Sequence, residues 1–153
     1  MTVHSLDIIL HEHPFLEGLE PGFLELLTGC AKNVRYPPGA YLWREDEPAD
    51  SFFLLREGQV ALSFYVPHKG ELCIETLSAG EVLGWSWMIR PYKWHFDARA
   101  LTEVRAIEVD ARCLREKAIK DKSFGYEMLV RFAAIMQERL ESTRLRLLDL
   151  YSK

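Results

Sequence analysis

The sequence predicts a mainly β fold with a short N-terminal helix and a long C-terminal helix. Three observations support this prediction: apolar and polar residues alternate through the middle of the chain, turn residues interrupt that region, and helical spacing fills residues 111–151. The chain has 153 residues, 48% of them hydrophobic and 27% charged, which is typical of one globular domain. We therefore expect residues 1–153 to form a single domain.

The first zone, which runs to about Lys32, contains one predicted short helix. Pro21 stands in a first-turn position, apolar residues from Phe23 to Leu27 follow at helical spacing, and Gly29 is a plausible C-cap. Asp7 interrupts the apolar start of the chain and no basic leader is present, so a signal peptide is not expected. The longest apolar runs are far shorter than the ~20 residues that cross a bilayer.

The second zone, residues 33–110, shows the alternation of a β structure. Val60, Leu62, Phe64 and Val66 alternate with smaller or more polar neighbours. Turn signals separate such segments; they are Pro37-Pro38-Gly39, Glu57-Gly58, His68-Lys69-Gly70 and Ala79-Gly80. Many short strands at these intervals predict a sandwich, a jelly roll or a small barrel.

The third zone, residues 111–151, is predicted to be helical, with Ser123 as the cap of a long helix. Two sevenfold series form an apolar a/d seam on this helix; they comprise Leu129, Met136, Thr143 and Leu150, and Ala133, Leu140 and Leu147. A second stripe includes Ile135, Leu145 and Leu148. The seam predicts a homodimer through the long helix, and burial of both stripes within one subunit is the alternative.

The segment from Pro37 to Val60 resembles the barrel signature of a cyclic-nucleotide-binding domain of the catabolite-activator (Crp/Fnr-like) family. It has a turn glycine at Gly39, an acidic turn around Asp46 and an apolar strand that ends in Gly58-Gln59-Val60. The run Gly80-Glu81-Val82-Leu83-Gly84 resembles the entry to the family's phosphate-binding cassette. The resemblance implies a jelly-roll (double-stranded β-helix) barrel, with helix and barrel at about 14–110 and C-terminal helices at about 111–151. Asp46 replaces a usual turn glycine and tolerates a left-handed backbone.

The cassette differs from that of ligand-binding relatives at the residues that bind the ribose and the phosphate. Trp85 follows Gly84 where ligand-binding relatives have a glutamate that bonds the ribose, and Trp94-His95-Phe96-Asp97-Ala98 stands where an Arg-Ser/Thr-Ala segment would bind the phosphate. The ribose acceptor and the phosphate-binding arginine are both absent by this alignment. Cyclic nucleotide is therefore expected to bind weakly or not at all, and no other cofactor is expected.

Two interpretations of the aromatic cassette are open. It is either a reshaped ligand pocket with aromatic faces and an anion-binding cation, or a set of rings that fill the former pocket as core. The candidate ligand-binding residues are Leu83, Gly84, Trp85, Ser86, Lys93, His95, Phe96, Arg99 and Thr143. Thr143 is included because relatives use a threonine at this helix position to contact adenine, and a threonine tolerated in the seam is the alternative.

The remaining groups of reactive or metal-binding residue types give no strong evidence of a functional site. His11-Glu12-His13 has no third ligand nearby in the sequence, so a solvated entry turn is expected rather than a metal site. No nucleophile elbow or cupin-like histidine set is present, so an enzyme is not expected. Three widely spaced cysteines argue against disulfides and favour a reducing cytoplasm; Cys113 is expected to be a packed helix thiol.

The sequence therefore predicts a non-catalytic regulatory domain that senses a small ligand. A ligand-free interaction or scaffold module is the alternative. The net charge of −4 and the absence of a basic stripe argue against direct DNA binding. The chain ends three residues after Leu150, which leaves no room for a helix-turn-helix domain; if the chain is a fragment, it would be the sensor half of a transcription regulator.

Overall fold

The computed structural model describes the backbone of residues 2–152, together with the side chains of residue 6 and residues 8–152. Four α-helices are present: α1 (Thr2–Glu12), α2 (Pro21–Thr28), α3 (Ala111–Lys120) and α4 (Lys122–Tyr151). Eight strands lie between α2 and α3; they are β1 (Ala31–Tyr36), β2 (Tyr41–Trp43), β3 (Ser51–Glu57), β4 (Gln59–Val66), β5 (Gly70–Ser78), β6 (Val82–Leu83), β7 (Asp97–Ala100) and β8 (Val104–Asp110). The predicted order of a short helix, a β region and a long helix is confirmed.

The strands form two four-stranded antiparallel sheets, in the orders β1-β8-β3-β6 and β2-β7-β4-β5. Trp43 of the second sheet stacks on Phe53 of the first, with ring centroids 5.9 Å apart, so aromatic side chains join the sheets. The prediction of a closed jelly-roll barrel was wrong, because the two sheets do not close into one barrel. The description "mainly β" was also overstated, because α4 alone has 30 residues and α1 was not predicted.

Turn residues adopt the backbone that the sequence predicts. Gly39, Gly58 and Gly80 have positive φ values, and Asp46 has a φ of 72°, which confirms its left-handed turn. Glycine is also required at position 58 for steric reasons, since a Cβ atom there would lie 2.2 Å from the carbonyl oxygen of Glu103. The turn at Gly58 connects β3 and β4, each of which is an internal strand of its sheet.

The chain divides into two compact units, Met1–Glu116 and Lys117–Lys153, and the division falls within α3. In the second unit α4 begins after Asp121, whose carboxylate accepts the backbone N–H of Phe124 at 3.1 Å. The cap is thus Asp121, and the prediction of Ser123 was wrong because the helix starts one residue before it. No helix of the described part of the chain is long and apolar enough to cross a membrane.

The cysteines correct another expectation. Cys30, between α2 and β1, and Cys113, in the first turn of α3, form a disulfide with their Cα atoms 5.7 Å apart. The sequence argued against disulfides because the two residues are 83 positions apart, but β1 and β8 are paired and bring these positions together. Cys113 is therefore not a packed free thiol, and Cys73 on β5 is exposed and forms no disulfide.

Candidate functional site

The cassette loop, residues 84–96, leaves the short strand β6 and returns to β7. β6 pairs with β3, which sets where the loop starts. Backbone hydrogen bonds then attach its far end to the acidic turn: the N–H of Asp46 donates to the carbonyl of Trp94 at 2.9 Å, and the N–H of Trp94 donates to the carbonyl of Glu47 at 3.0 Å. The loop is thus held at both ends by backbone bonds.

Trp43 and Trp94 form the indole stack, the central feature of this loop. Their ring centroids are 3.7 Å apart and their planes differ by 9°. Both residues are only 4% exposed, and the Trp43 indole N–H donates to the carbonyl of Phe96 at 2.6 Å. Parallel contact and burial together make these rings part of the core of the first unit.

Gly84 lies directly against the indole stack. Its φ is +95°, and a Cβ atom built on it would lie 2.6 Å from Cη2 and 2.8 Å from Cζ3 of Trp94. Such distances are far shorter than any ordinary carbon contact. The six-membered ring of Trp94 therefore occupies the space beside the backbone at the entry to the loop.

The other predicted site residues of the cassette lie around this stack in different environments. Leu83 is buried in β6, and Trp87, a neighbour not among the candidates, is buried and stacks on Phe52 with centroids 5.3 Å apart. The half-buried candidates are Trp85, Ser86 and Phe96, and the exposed ones are Lys93 and His95. The structure thus gathers Leu83 and Gly84 near the stack and leaves both candidate cations of the loop in solvent.

Arg99 lies on the opposite face of its strand from the indole stack. Ala98 is paired with Trp43, whereas Arg99 is paired with Tyr41, and successive side chains of a strand point to opposite faces. The Arg99 guanidinium lies 3.6 Å from a carboxylate oxygen of Glu71 and 5.8 Å from the Tyr41 ring centroid. Its charge is therefore engaged on that face of the sheet.

The seam residues and Thr143 belong to the second unit. The Thr143 hydroxyl donates to the carbonyl of Arg139 at 2.8 Å, a bond within its own helix. Met136 is half-buried, and the other seam residues are exposed; they are Leu129, Ala133, Leu140, Thr143, Leu147 and Leu150. Phe124, Met128 and Phe132, which recur every four residues, are the buried side chains of α4.

Three residues with clear roles were not among the candidates. Trp43 forms one half of the indole stack. Asp97 is 7% exposed and accepts the N–H of Glu45 at 2.7 Å, and this hydrogen bond holds the acidic turn. Arg115 of α3 donates to the carbonyl of Trp87 at 2.6 Å and lies 4.2 Å from the Tyr92 ring centroid. In the sequence, each of these residues appears only as a charged or aromatic residue within an apolar pattern. Such a pattern does not show which residue it contacts in the fold.

His13 is not part of a solvated turn. It is 5% exposed, its Nε2 lies 3.0 Å from the carbonyl of Leu55, and its Nδ1 accepts the N–H of Phe15 at 3.2 Å. Burial lowers its pKa from the ordinary value of 6.5, and the hydrogen bond to Leu55 opposes this in part. His11 and Glu12 are exposed, as expected, but they are the last two residues of α1 and not a turn, and His13 is buried.

The chain resembles known proteins in both sequence and fold. The CRP-like cAMP-activated global transcriptional regulator of Mycobacterium tuberculosis is 28% identical over 145 residues, which are 95% of this chain and 63% of that protein. The chain thus spans less than two thirds of the length of this curated relative. A solved structure from Geobacter metallireducens GS-15 has a TM-score of 0.76 and 26% identity over 92% of this chain and 98% of its own.

A second solved structure, a cyclic nucleotide-binding domain from Methylobacillus flagellatus KT, has a TM-score of 0.79 at 18% identity, covering 95% of this chain and 82% of its own. At that identity the likeness shows the fold alone. The model of the family described as the cyclic nucleotide-binding domain matches residues 33–121, more than half of the sequence, and the chain therefore belongs to the cyclic nucleotide-binding domain family.

Proposed function

We propose that the chain is a non-catalytic regulatory domain that senses a small ligand and whose binding of cyclic nucleotides is altered or lost. The observation that carries this proposal is the indole stack beside Gly84. Trp94 belongs to the segment where the family resemblance places the phosphate-binding arginine. An indole ring stacks on flat groups, but it cannot form the two parallel charge-assisted bonds that arginine forms with phosphate.

The remaining cations near the cassette do not supply the missing chemistry. Lys93 and His95 are exposed, where an ion pair with phosphate contributes little because water screens it. Arg99 is engaged by Glu71 on the opposite face of its strand. Trp85, where the resemblance places the ribose acceptor, offers only an N–H donor and no acceptor.

We also propose that two copies associate through α4. Leu140 and Leu147 of the seam are 51% and 52% exposed, so a long helix presents large apolar side chains at heptad spacing. Burying this seam against a second copy would remove the apolar surface from water. The absence of direct DNA binding belongs to the same proposal, because the net charge is −4. A cytoplasmic location also belongs to it, although the Cys30–Cys113 disulfide removes the argument from the cysteines.

A ligand-free scaffold module is a second candidate, which the close packing of Trp43, Trp94 and Gly84 favours. The third is the sensor half of a longer regulator. It is favoured by the relative from M. tuberculosis, of which the chain spans 63%. The sensor and the scaffold differ in whether a small molecule binds at the cassette.

Mass spectrometry of small molecules released from the purified protein tests this difference. A sensing domain should yield the same nucleotide, other anion or aromatic compound in repeated preparations, and that compound should raise the melting temperature when it is added back. The variant Trp94→Ala should lose that response, whereas Tyr126→Ala, an exposed ring on α4, should keep it. Empty preparations, with no thermal shift from a panel of nucleotides, would contradict sensing and favour the scaffold.

A further inference from the structure

The disulfide between Cys30 and Cys113 connects two segments that meet only in the folded chain. Cys30 lies between α2 and β1, and Cys113 lies in the first turn of α3. We propose that this pair is a reversible thiol–disulfide switch, which fixes the first turn of α3 when oxidised and loosens it when reduced. This disulfide lies outside the cassette loop, and the proposed switch does not depend on which ligand the domain binds.

A cavity of about 400 Å³ gives reductants and oxidants a route to the pair. Both cysteines line it, and its charged lining consists of Lys32, Asp50, Glu108, Asp110 and Arg112. The side chain of Ser51 also lines it and donates to Glu108 at 2.6 Å. Because both cysteines line this polar cavity, we expect a small thiol to reach the bond without unfolding of the sheets.

Cys113 stands at the start of α3, beside this cavity. Its N–H donates to the carboxylate of Asp110 at 3.1 Å, which places Cys113 in the first turn of a ten-residue helix. Two cations, Lys32 and Arg112, and three carboxylates, Asp50, Glu108 and Asp110, line the cavity beside the bond. In thiol–disulfide exchange an external thiolate attacks one sulfur and the other sulfur leaves, so access through this cavity is what allows the pair to open and close.

The chemistry balances with a dithiol as the co-reactant. During reduction the S–S bond breaks, each cysteine becomes a thiol, and the dithiol gives up two electrons and two protons to become its own disulfide. During oxidation a low-molecular-weight disulfide such as glutathione disulfide takes those two electrons and two protons, and is released as two thiols.

Reduction would act on the cassette loop through α3. The N–H of Ala111 donates to the carbonyl of Asp50 at 2.8 Å, so one backbone bond still holds α3 after the disulfide opens. Two residues further along α3 from Cys113, Arg115 donates to the carbonyl of Trp87 and covers the ring of Tyr92. Loosening the first turn of α3 therefore weakens the attachment of the cassette loop.

The test uses the Cys73→Ser chain, which keeps only the proposed pair. After treatment with glutathione disulfide or with dithiothreitol, the chain is denatured, labelled with N-ethylmaleimide and weighed intact. We expect no label after oxidation, two after reduction, and the same result over repeated cycles with an unchanged circular dichroism spectrum. Two labels after oxidation, or loss of the folded spectrum on reduction, would show that no reversible switch exists.

Hydrogen exchange then tests the consequence of the switch. Amides of α3 and of the cassette loop should exchange on the order of tenfold faster in the reduced chain, while β4 stays protected. Cys30→Ser and Cys113→Ser, each in the Cys73→Ser background, should match the reduced chain under both conditions. Equal exchange in the oxidised and reduced chains would overturn the proposal. Failure of both serine variants to fold would do the same, because the bond would then be purely structural.

Discussion

The six-membered ring of Trp94 lies where any side chain on residue 84 would have to stand, since a Cβ atom on Gly84 would be 2.6 Å from Cη2 of that ring. The same ring is stacked at 3.7 Å on Trp43, so it has little freedom to move away. The glycine and the tryptophan thus depend on each other, and the cassette loop carries a packed ring close to its entry.

This dependence predicts a large effect of Gly84→Ala on stability. Gly70→Ala is the matched control, because Gly70 also has a positive φ, +84°, but nothing lies within 4 Å of its would-be Cβ atom. The control should lose about 1–2 kcal/mol for the left-handed backbone alone. Gly84→Ala should lose about 1–3 kcal/mol more for the overlap with Trp94. Urea unfolding measures both, and equal losses would show that Trp94 moves away freely.

The buried imidazole of His13 predicts a stability that falls in acid. Its pKa is lowered in the folded chain, so below about pH 6.5 the unfolded chain binds a proton that the folded chain does not. The free energy of unfolding should therefore decrease as the pH falls from 6.5 through the folded pKa, by about 1.4 kcal/mol for each unit by which the pKa is lowered.

His13→Gln should remove this part of the pH dependence, since a glutamine does not titrate. His11→Gln, which changes the exposed histidine two residues earlier, should leave it unchanged. Urea unfolding at pH 7.5 and at pH 5.5 compares the three proteins. An equal decrease in the wild type and in His13→Gln would mean that another group causes the acid sensitivity.

Much of the β region was predictable because its signals are local. Turn glycines and the left-handed Asp46 depend on neighbouring residues, and both appear as predicted. The alternation predicted for β4 was wrong: Val60 to Ser63 are all buried and Phe64 is exposed, because the pairing register shifts between Leu62 and Ser63. The indole stack and the disulfide join residues 51 and 83 positions apart, and no local pattern encodes such pairings. The strand face on which Arg99 lies depends on the register between β2 and β7, which no local pattern predicts.

The seam of α4 predicts a dimer that two charges would break. Leu140→Glu with Leu147→Glu places like charges at two a positions of the seam, and the dissociation constant should rise at least ~100-fold. Leu145→Glu with Leu148→Glu is the control, because these leucines are each 64% exposed and lie at outer heptad positions. Light scattering should give a dimer for the wild type and the control and a monomer for the seam variant. A monomeric wild type at tens of micromolar would contradict the proposal.

Specific binding of duplex DNA is not expected from this chain. With a net charge of −4, it lacks the excess of Lys and Arg that displaces counterions from phosphates. Fluorescence anisotropy with random duplex at low salt is the most permissive measurement, because electrostatic binding strengthens as salt falls. Affinity below about 1 µM that persists at physiological salt would be incompatible with this account.

Isothermal titration of the wild-type chain with cyclic AMP and with cyclic GMP tests the central claim most directly. On the proposed function, the chain lacks the arginine–phosphate pair and the glutamate–ribose bond, and their absence should remove about 3–5 kcal/mol, a reduction of some hundreds- to thousands-fold in affinity. We therefore predict no measurable binding, or a dissociation constant above about 100 µM, for both nucleotides. A dissociation constant in the low micromolar range for either one would show that the aromatic cassette binds cyclic nucleotides by other contacts, and would contradict the account.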